Sequence, residues 1–176
     1  LPPSPPSWWQ QAVVYTVFVD RFRRRDGTWP AARLDEKARW GGDLWGVRDA
    51  LPYLHDLGVS VLHLTPTVQS PSAHRYDAEN PLVIDPALGG EPALHALIAA
   101  AQARGIRLLF DLVHTHVHRH FLPFCDVRLR GKASPFADWF YILRHPFSDE
   151  GDAGPDPGYA HYQKGQWHEP LLRNDH

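Results

Sequence analysis

The stretch VVYTVFV at 13–19 is β-branched and aromatic almost throughout. Such a composition predicts a strand that is buried on both faces. VSVLHL at 59–64 and IRLLFD at 106–111 are two further apolar runs of strand length. We therefore predict three strands, at 13–19, 59–64 and 106–111.

The two gaps between these runs carry helical patterns. Apolar residues recur at helical spacing between 47 and 57, and Gly58 follows where a left-handed residue ends a helix. Pro52 is tolerated near the first turn of a helix, so we expect the regular helix to begin around Asp49. A second helix is predicted over 91–104, with a glycine directly after it.

The order strand, helix, strand, helix, strand implies parallel strands joined by right-handed crossovers. It predicts an α/β fold and excludes an all-β sandwich or a helical bundle. After His116 the pattern breaks, and a long segment rich in Pro, Gly, His and aromatic residues follows without a clear βα unit. This segment is predicted to form an inserted irregular subdomain.

The composition limits the classes of partner. Hydrophobic residues make up 43% of the chain and aromatic residues 12%, which is enough for a core. The 18 Lys and Arg residues against 20 Asp and Glu residues give a net charge of -2. No excess of positive charge is available to neutralise phosphates or anionic lipids, so we expect neither nucleic acid nor membrane as a partner.

The single cysteine, Cys125, cannot form an internal disulfide, and no Cys/His set has the spacing of a zinc site. No apolar stretch approaches the ~20 residues of a membrane-spanning helix, and the Pro-rich start shows no targeting pattern. These features favour a cytoplasmic location. Because the chain begins with Leu1 and contains no Met, a removed signal or a preceding domain is the alternative.

A series of short motifs runs along the chain: VY at 14–15 with DRF at 20–22, GGDL at 41–44, SPS at 70–72 with YD at 76–77, IDP at 84–86, GIR at 105–107 leading to Asp111 and His116, FADWF at 136–140, and PLL at 170–172. In this order and spacing they resemble the α-amylase superfamily, particularly its neopullulanase, cyclomaltodextrinase and maltogenic amylase branch. The resemblance covers nearly everything after Trp8.

The resemblance implies the N-terminal part of a catalytic (β/α)8 TIM barrel, with about the first three βα units and an inserted irregular subdomain after the third strand. The predicted boundaries follow from it: a Pro-rich linker at 1–7, the barrel at 8–116, the insert at 117–170 and the return to the truncated barrel at 171–176.

The resemblance also implies an α-glucan-active retaining glycoside hydrolase or transglycosylase, for α-1,4 or α-1,6 glucosidic bonds. Retaining glycosidases need two carboxyl groups about 5 Å apart. In the family these groups follow strands four and five, which this sequence does not reach, so no carboxylate here is assigned as nucleophile or acid/base. The chain alone is expected to be inactive. Its expected partner is an α-glucan or maltodextrin, and a homodimer is left open.

Four residues carry over from the family as substrate-binding residues. Tyr76 would stack on the glucose that is distorted, because an aromatic face matches the C–H surface of a pyranose. Asp77 follows in the same motif. Asp111, at the carboxyl end of the third strand, would orient polar groups of the active site, and His116 would donate a hydrogen bond to a sugar hydroxyl. The alternatives are a Tyr packed under a loop, a capping Asp and a surface His.

The alternating histidines of 114–120 suggest a metal site, because imidazole is a good ligand. No carboxylate or cysteine stands at metal-site spacing with them, so we expect no metal there. The Asn that serves a structural calcium in relatives is Thr115 here, which is a poorer calcium ligand. We expect no cofactor, and the calcium is the alternative.

Two rival functions stay open. The first is a non-catalytic, amylase-like scaffold that binds carbohydrate or docks a partner, because a fold does not guarantee chemistry. Thr16 and Thr115 favour it, since the family has Gln and Asn there. The second is an inactive truncated product, because three barrel strands leave open edges that need covering.

Overall fold

A computed structural model describes residues 4–31, 38–143, 161–164 and 167–173. Its strands and α-helices, in chain order, are β1 (Val14–Val17), α1 (Leu44–Asp49), α2 (Leu51–Asp56), β2 (Val61–Leu64), β3 (Val68–Gln69), β4 (Asn80–Ile84), α3 (Gly90–Gln102), β5 (Arg107–Phe110), α4 (Leu122–Arg130), β6 (His161–Lys164) and β7 (Trp167–Pro170). The described residues fall into two compact units: a first unit within 1–67 and 83–111, and a second unit within 68–82 and 112–176.

The first unit is built on a parallel sheet in the order β1-β2-β5. Val14 pairs with Val61, and Val61 with Arg107, so neighbouring strands start at the same level. The three predicted strands and their parallel pairing are confirmed. Each strand is shorter than the apolar run that predicts it. After β1, for example, the chain turns at once into the short 3-10 helix Val19–Arg21.

The first predicted helix is two helices. Pro52 lies in the first turn of α2, as predicted, but the expected single start around Asp49 is wrong because α1 comes before it. A proline has no N–H to donate to the preceding turn, so the helical ladder is interrupted at Ala50. Gly58 then ends α2 with a φ of 86°, which confirms the predicted left-handed residue.

Helix α3 confirms the second predicted helix to within two residues at its C-terminal end. Its buried stripe consists of Ala93, Leu97 and Ala101, which belong to the same core cluster as the buried side chains of α1, α2 and β2. The small alanines allow the helix backbone to lie close to its neighbours. This core fixes the carboxyl ends of the three parallel strands.

The second unit contains β3, the first three residues of its partner β4, helix α4 and the antiparallel β6–β7 hairpin. Its core is formed by Val117, Phe124, Val127 and Phe140. Helix α4 lies inside the segment predicted as irregular. The pattern missed it because only two of its nine residues, Phe124 and Val127, are buried. Residues 1–3, 144–160, 165–166 and 174–176 of the predicted linker, insert and return lie outside the described residues, and those boundaries stay predictions.

No helix in the described ranges is long and apolar enough to cross a membrane.

The glycines of the GGDL motif and Gly46 have a steric role. A Cβ on Gly46 would lie 2.0 Å from the carbonyl oxygen of Arg23, and one on Gly42 would lie 2.2 Å from that of Val19. Asp43, between them, caps α1 by accepting the Gly46 backbone N–H at 2.7 Å. The motif therefore lets the loop after β1 pack directly on the start of α1.

We expect Gly46→Ala to lower the free energy of unfolding by about 1–3 kcal/mol, because the backbone of the loop must move away from the new methyl group. The sign of this change in the free energy of unfolding shows whether the close contact at Gly46 exists. In a helix without such a contact, alanine in place of glycine is stabilising by up to about 1 kcal/mol. Urea unfolding measures the difference. Gln102→Ala, at the exposed end of α3, is the control and should change stability by less than about 0.5 kcal/mol. A stabilising Gly46→Ala would contradict the close packing.

Candidate functional site

The loop at 70–77 is organised by one buried carboxylate. Asp77 is 8% exposed, and its Oδ1 accepts a hydrogen bond from the Ser70 hydroxyl at 2.7 Å and another from the Ser72 hydroxyl. The Ser72 backbone N–H donates to Ser70 Oγ at 3.2 Å, and the Arg75 backbone N–H donates to Ser72 Oγ at 3.1 Å. Hydrogen bonds to the charged acceptor are the strong ones, so Asp77 fixes the shape of the whole loop.

The same loop presents Tyr76. Arg75, just before it, has a φ of 61°, which is unusual for a residue with a long side chain, and it is 2% exposed. Its Nη1 donates to the carbonyl oxygen of Ala73 at 2.8 Å. The Tyr76 backbone N–H donates to His74 Nδ1 at 3.1 Å. Tyr76 itself is 37% exposed, so part of its ring surface is accessible to a ligand.

Asp111 directly follows β5. Its backbone N–H donates to the carbonyl oxygen of Leu64 at 3.0 Å, which extends the pairing of β2 and β5 by one more step. The carboxylate is thus placed at the carboxyl end of a parallel sheet, where α/β folds bind their ligands. In the same sheet Thr16 Oγ1 lies 3.2 Å from His63 Nδ1, so the hydroxyl that replaces the expected Gln has a partner.

His116 is held by a short antiparallel pairing. It forms a β-bridge with Leu171, while the Leu172 backbone N–H donates to the Thr115 carbonyl oxygen at 3.0 Å. The Thr115 hydroxyl lies 2.9 Å from His116 Nδ1. Thr115 Oγ1, the side-chain oxygen that would have to bind a calcium ion, therefore already has a hydrogen-bond partner. The backbone pairing and the hydroxyl contact together restrict the orientation of the imidazole.

The four predicted site residues divide between the units. Tyr76 and Asp77 share one loop of the second unit, His116 belongs to the same unit, and Asp111 follows β5 in the first unit. The sequence analysis missed Arg75, whose burial and positive φ have no local signal. It also missed His74, whose ring packs beside that of Tyr76 with centroids 5.9 Å apart.

Among the residues that the structure describes, a group of side chains in the second unit could hold a metal ion. Glu79, His118 and His120 each offer a donor atom, and the three atoms lie within 4.8 Å of one another. In the sequence no carboxylate stands at metal-site spacing with these histidines, whereas in the structure Glu79 lies beside two of them. Glu79 stands 41 residues before His120, so a search by local spacing could not find it.

Comparisons with known proteins give the family of this chain. Residues 16–172 match the family described as "Alpha amylase, catalytic domain". Neopullulanase 2 of Thermoactinomyces vulgaris is 41% identical over 152 residues, which cover 81% of this chain and 26% of the relative. A cyclomaltodextrinase of Thermoanaerobacter pseudethanolicus is 33% identical, over 95% of this chain and 30% of the relative.

Solved structures of similar proteins superpose closely on this chain. A structure of a cyclomaltodextrinase superposes with a TM-score of 0.85 at 35% identity, covering 98% of this chain and 30% of that one. The ligand-free cyclic alpha-maltosyl-(1→6)-maltose hydrolase of Arthrobacter globiformis has a TM-score of 0.83 at 31% identity, covering 97% and 39%. These matches confirm the predicted fold class, a partial TIM barrel.

The chain spans between 26% and 39% of the length of these four relatives. The family match nevertheless extends over most of its residues, from Thr16 within β1 to Leu172. The chain therefore belongs to the α-amylase family of glycoside hydrolases.

Proposed function

We propose that this chain supplies substrate-binding side chains to a retaining glycoside hydrolase or transglycosylase that acts on α-1,4 or α-1,6 bonds of α-glucans. The observation that carries the proposal is the loop at 70–77, where a buried Asp77 fixes the backbone that presents a partly exposed Tyr76. A rigid aromatic side chain on a fixed loop is suited to stack on a sugar ring without losing much conformational entropy on binding.

Tyr76 is proposed to act during bond cleavage as well as in binding. The transition state of glycoside hydrolysis resembles an oxocarbenium ion, with positive charge spread over the sugar ring. The electron-rich face of an aromatic ring attracts a cation placed over it. A tyrosine face against this sugar therefore stabilises the transition state more than the ground state, which is the condition for catalysis.

His116 is proposed to donate a hydrogen bond to a sugar hydroxyl. When the Thr115 hydroxyl donates to His116 Nδ1, over their 2.9 Å separation, the neutral imidazole carries its proton on Nε2. Nε2–H is then the available donor. In this role Thr115 is a positioning residue that sets the tautomer, as the partner of the second ring nitrogen commonly does.

Asp111 is proposed to orient polar groups around the reacting sugar. This proposal is supported by the position of Asp111 at the carboxyl end of β5, where the hydrogen bond to Leu64 fixes its backbone. Loops at the C-terminal face of a barrel carry the catalytic residues in this fold. We assign no residue of the chain as nucleophile or acid/base, and propose that these two carboxylates follow later strands of the complete protein.

The names of the relatives suggest the type of glucan. They include a neopullulanase, two cyclomaltodextrinases and a hydrolase of a cyclic maltosyl-maltose. We propose that the complete protein shares this preference for maltodextrins, including cyclic and α-1,6-containing ones. The rival scaffold function is favoured by Thr16 and Thr115, which replace the Gln and Asn that the resemblance implies. Both hydroxyls contact a histidine in the structure.

The proposed function is tested with the protein expressed from its complete gene. We expect release of reducing ends from γ-cyclodextrin, maltoheptaose and pullulan, with the first product in the α-configuration by proton NMR, as a retaining mechanism requires. A β-configured first product would contradict the retaining mechanism. Binding of maltoheptaose without any release of reducing ends would contradict the enzyme function and support the scaffold.

A further inference from the structure

Two segments of the second unit are joined through their backbones next to the predicted site. The His118 backbone N–H donates to the carbonyl oxygen of Ala78 at 2.9 Å. The Glu79 backbone N–H donates to the carbonyl oxygen of Gln69, at the end of β3, at 3.0 Å. Glu79 is thus fixed to β3 and directly follows the residue that pairs with His118.

The side chains above this backbone contact converge. Glu79 Oε1 lies 3.3 Å from His120 Nδ1 and 3.5 Å from His118 Nδ1. The two imidazole rings meet edge to face, with centroids 4.7 Å apart. One carboxylate oxygen and two ring nitrogens therefore point toward a common region.

We propose that Glu79, His118 and His120 bind a zinc ion or a chemically similar divalent transition-metal ion, with water completing the coordination. In a tetrahedral site with bonds of about 2.0–2.1 Å, neighbouring ligand atoms are about 3.3–3.4 Å apart. The two oxygen-to-nitrogen distances, 3.5 and 3.3 Å, are close to this edge length, and all three donor atoms lie within 4.8 Å of one another. Two imidazoles with one carboxylate also favour zinc and its neighbours over calcium or magnesium, which prefer oxygen ligands.

The accessibility of the three side chains suits a site that is fixed on one side and open on the other. The side chain of His118 is 11% exposed, that of Glu79 27% and that of His120 55%. An ion can therefore enter past His120. The His120 backbone N–H donates to His118 Nδ1 at 3.2 Å, the long end of the hydrogen-bond range, and the ion would replace this weak contact.

The consequence of binding is a cross-link between the segments 78–79 and 118–120. The site is independent of the proposed hydrolysis, because neither Glu79 nor the two histidines are among the proposed sugar contacts. An ion that binds only the folded protein also stabilises it. Zinc binding should therefore raise the melting temperature of the chain in addition to occupying the site.

The test uses the tag-free, 176-residue chain and zinc chloride, with bound zinc measured by equilibrium dialysis and elemental analysis. We expect one equivalent of zinc, removable by EDTA. Even the loss of an outer partner of a metal ligand weakens binding about 10–100-fold. We therefore expect Glu79→Gln and His120→Ala to weaken zinc binding at least about tenfold. These two residues are chosen because they are more exposed than His118 and their replacement leaves the core intact.

Two histidine variants serve as controls. His95→Ala removes an exposed histidine that lies 3.7 Å from Glu91 on α3, a His–Glu pair with no third ligand among the residues that the structure describes. His114→Ala removes an exposed member of the alternating histidines. Both should bind zinc as the parent does. Less than one bound equivalent at saturation, or unchanged affinity in Glu79→Gln and His120→Ala, would overturn the proposal. So would a loss in His114→Ala as large as in those two variants, because the ligands would then be the histidine run itself.

Discussion

Tyr76→Ala should lower kcat/KM of the complete protein for maltoheptaose roughly 10- to 100-fold, which corresponds to the cation–π stabilisation of about 1–3 kcal/mol lost from the transition state. Phenylalanine keeps the aromatic face, so Tyr76→Phe should retain most of the activity. Because the stabilisation grows as charge develops on the sugar, the larger part of the loss should fall on kcat and the smaller part on KM.

Tyr53→Ala is the matched control for this prediction. Tyr53 is an exposed tyrosine on α2, a helix of the first unit, and its replacement should leave kcat and KM unchanged. A Tyr76→Ala variant with the kinetics of the parent would show that the ring is merely packed in its loop. Equal losses in Tyr76→Ala and Tyr76→Phe would instead assign the effect to the hydroxyl and would contradict stacking.

The fold of the first unit was predictable because its elements carry local signals. The three strands are short apolar runs, and the glycines after α2 and α3 mark helix ends by their left-handed conformation. The break at Ala50 was harder to predict, because Pro52 is compatible both with the start of one helix and with an interruption between two. Helix α4 gave almost no signal, since an element with two buried side chains has no apolar stripe.

The part of the candidate site that lies in family-like sequence motifs could be predicted. Tyr76, Asp77, Asp111 and His116 all come from short stretches that resemble the family. The carboxylate near the histidines was not predictable, because Glu79 and His120 are 41 residues apart and are brought together by tertiary contacts such as the backbone hydrogen bond between His118 and Ala78. Contacts of this kind depend on tertiary structure, and no periodicity in the chain encodes them.

The structure also points to a role for Asp77 within its own loop. The sequence placed it among the substrate-binding residues, and that assignment stays a prediction. Its Oδ1 accepts hydrogen bonds from two serine hydroxyls, and the residue is 8% exposed, so little of it is accessible to a sugar. We infer that Asp77 acts chiefly as a positioning residue for Tyr76, through the fixed loop between Ser70 and itself.

Asp77→Ala should therefore lower the free energy of unfolding by roughly 2–6 kcal/mol, since it leaves two serine hydroxyls without their acceptor at about 1–3 kcal/mol each. Asp77→Asn keeps an oxygen at the same place and should lose only about 1 kcal/mol, because a neutral acceptor forms weaker hydrogen bonds than a charged one. Urea unfolding of the chain measures both, with the midpoint and the slope compared.

Asp26→Ala is the control for a carboxylate in a similar local contact at the surface. Asp26 accepts hydrogen bonds from the hydroxyl and the backbone N–H of Thr28, and the hydroxyl contact lowers the pKa of Asp26. Because this carboxylate is fully exposed, water replaces its contacts and Asp26→Ala should unfold as the parent does.

The positioning role further requires that Asp77→Asn retain more kcat than Asp77→Ala. If the two variants were equally stable, or if Asp77→Ala kept the full kcat, the loop would not depend on this carboxylate.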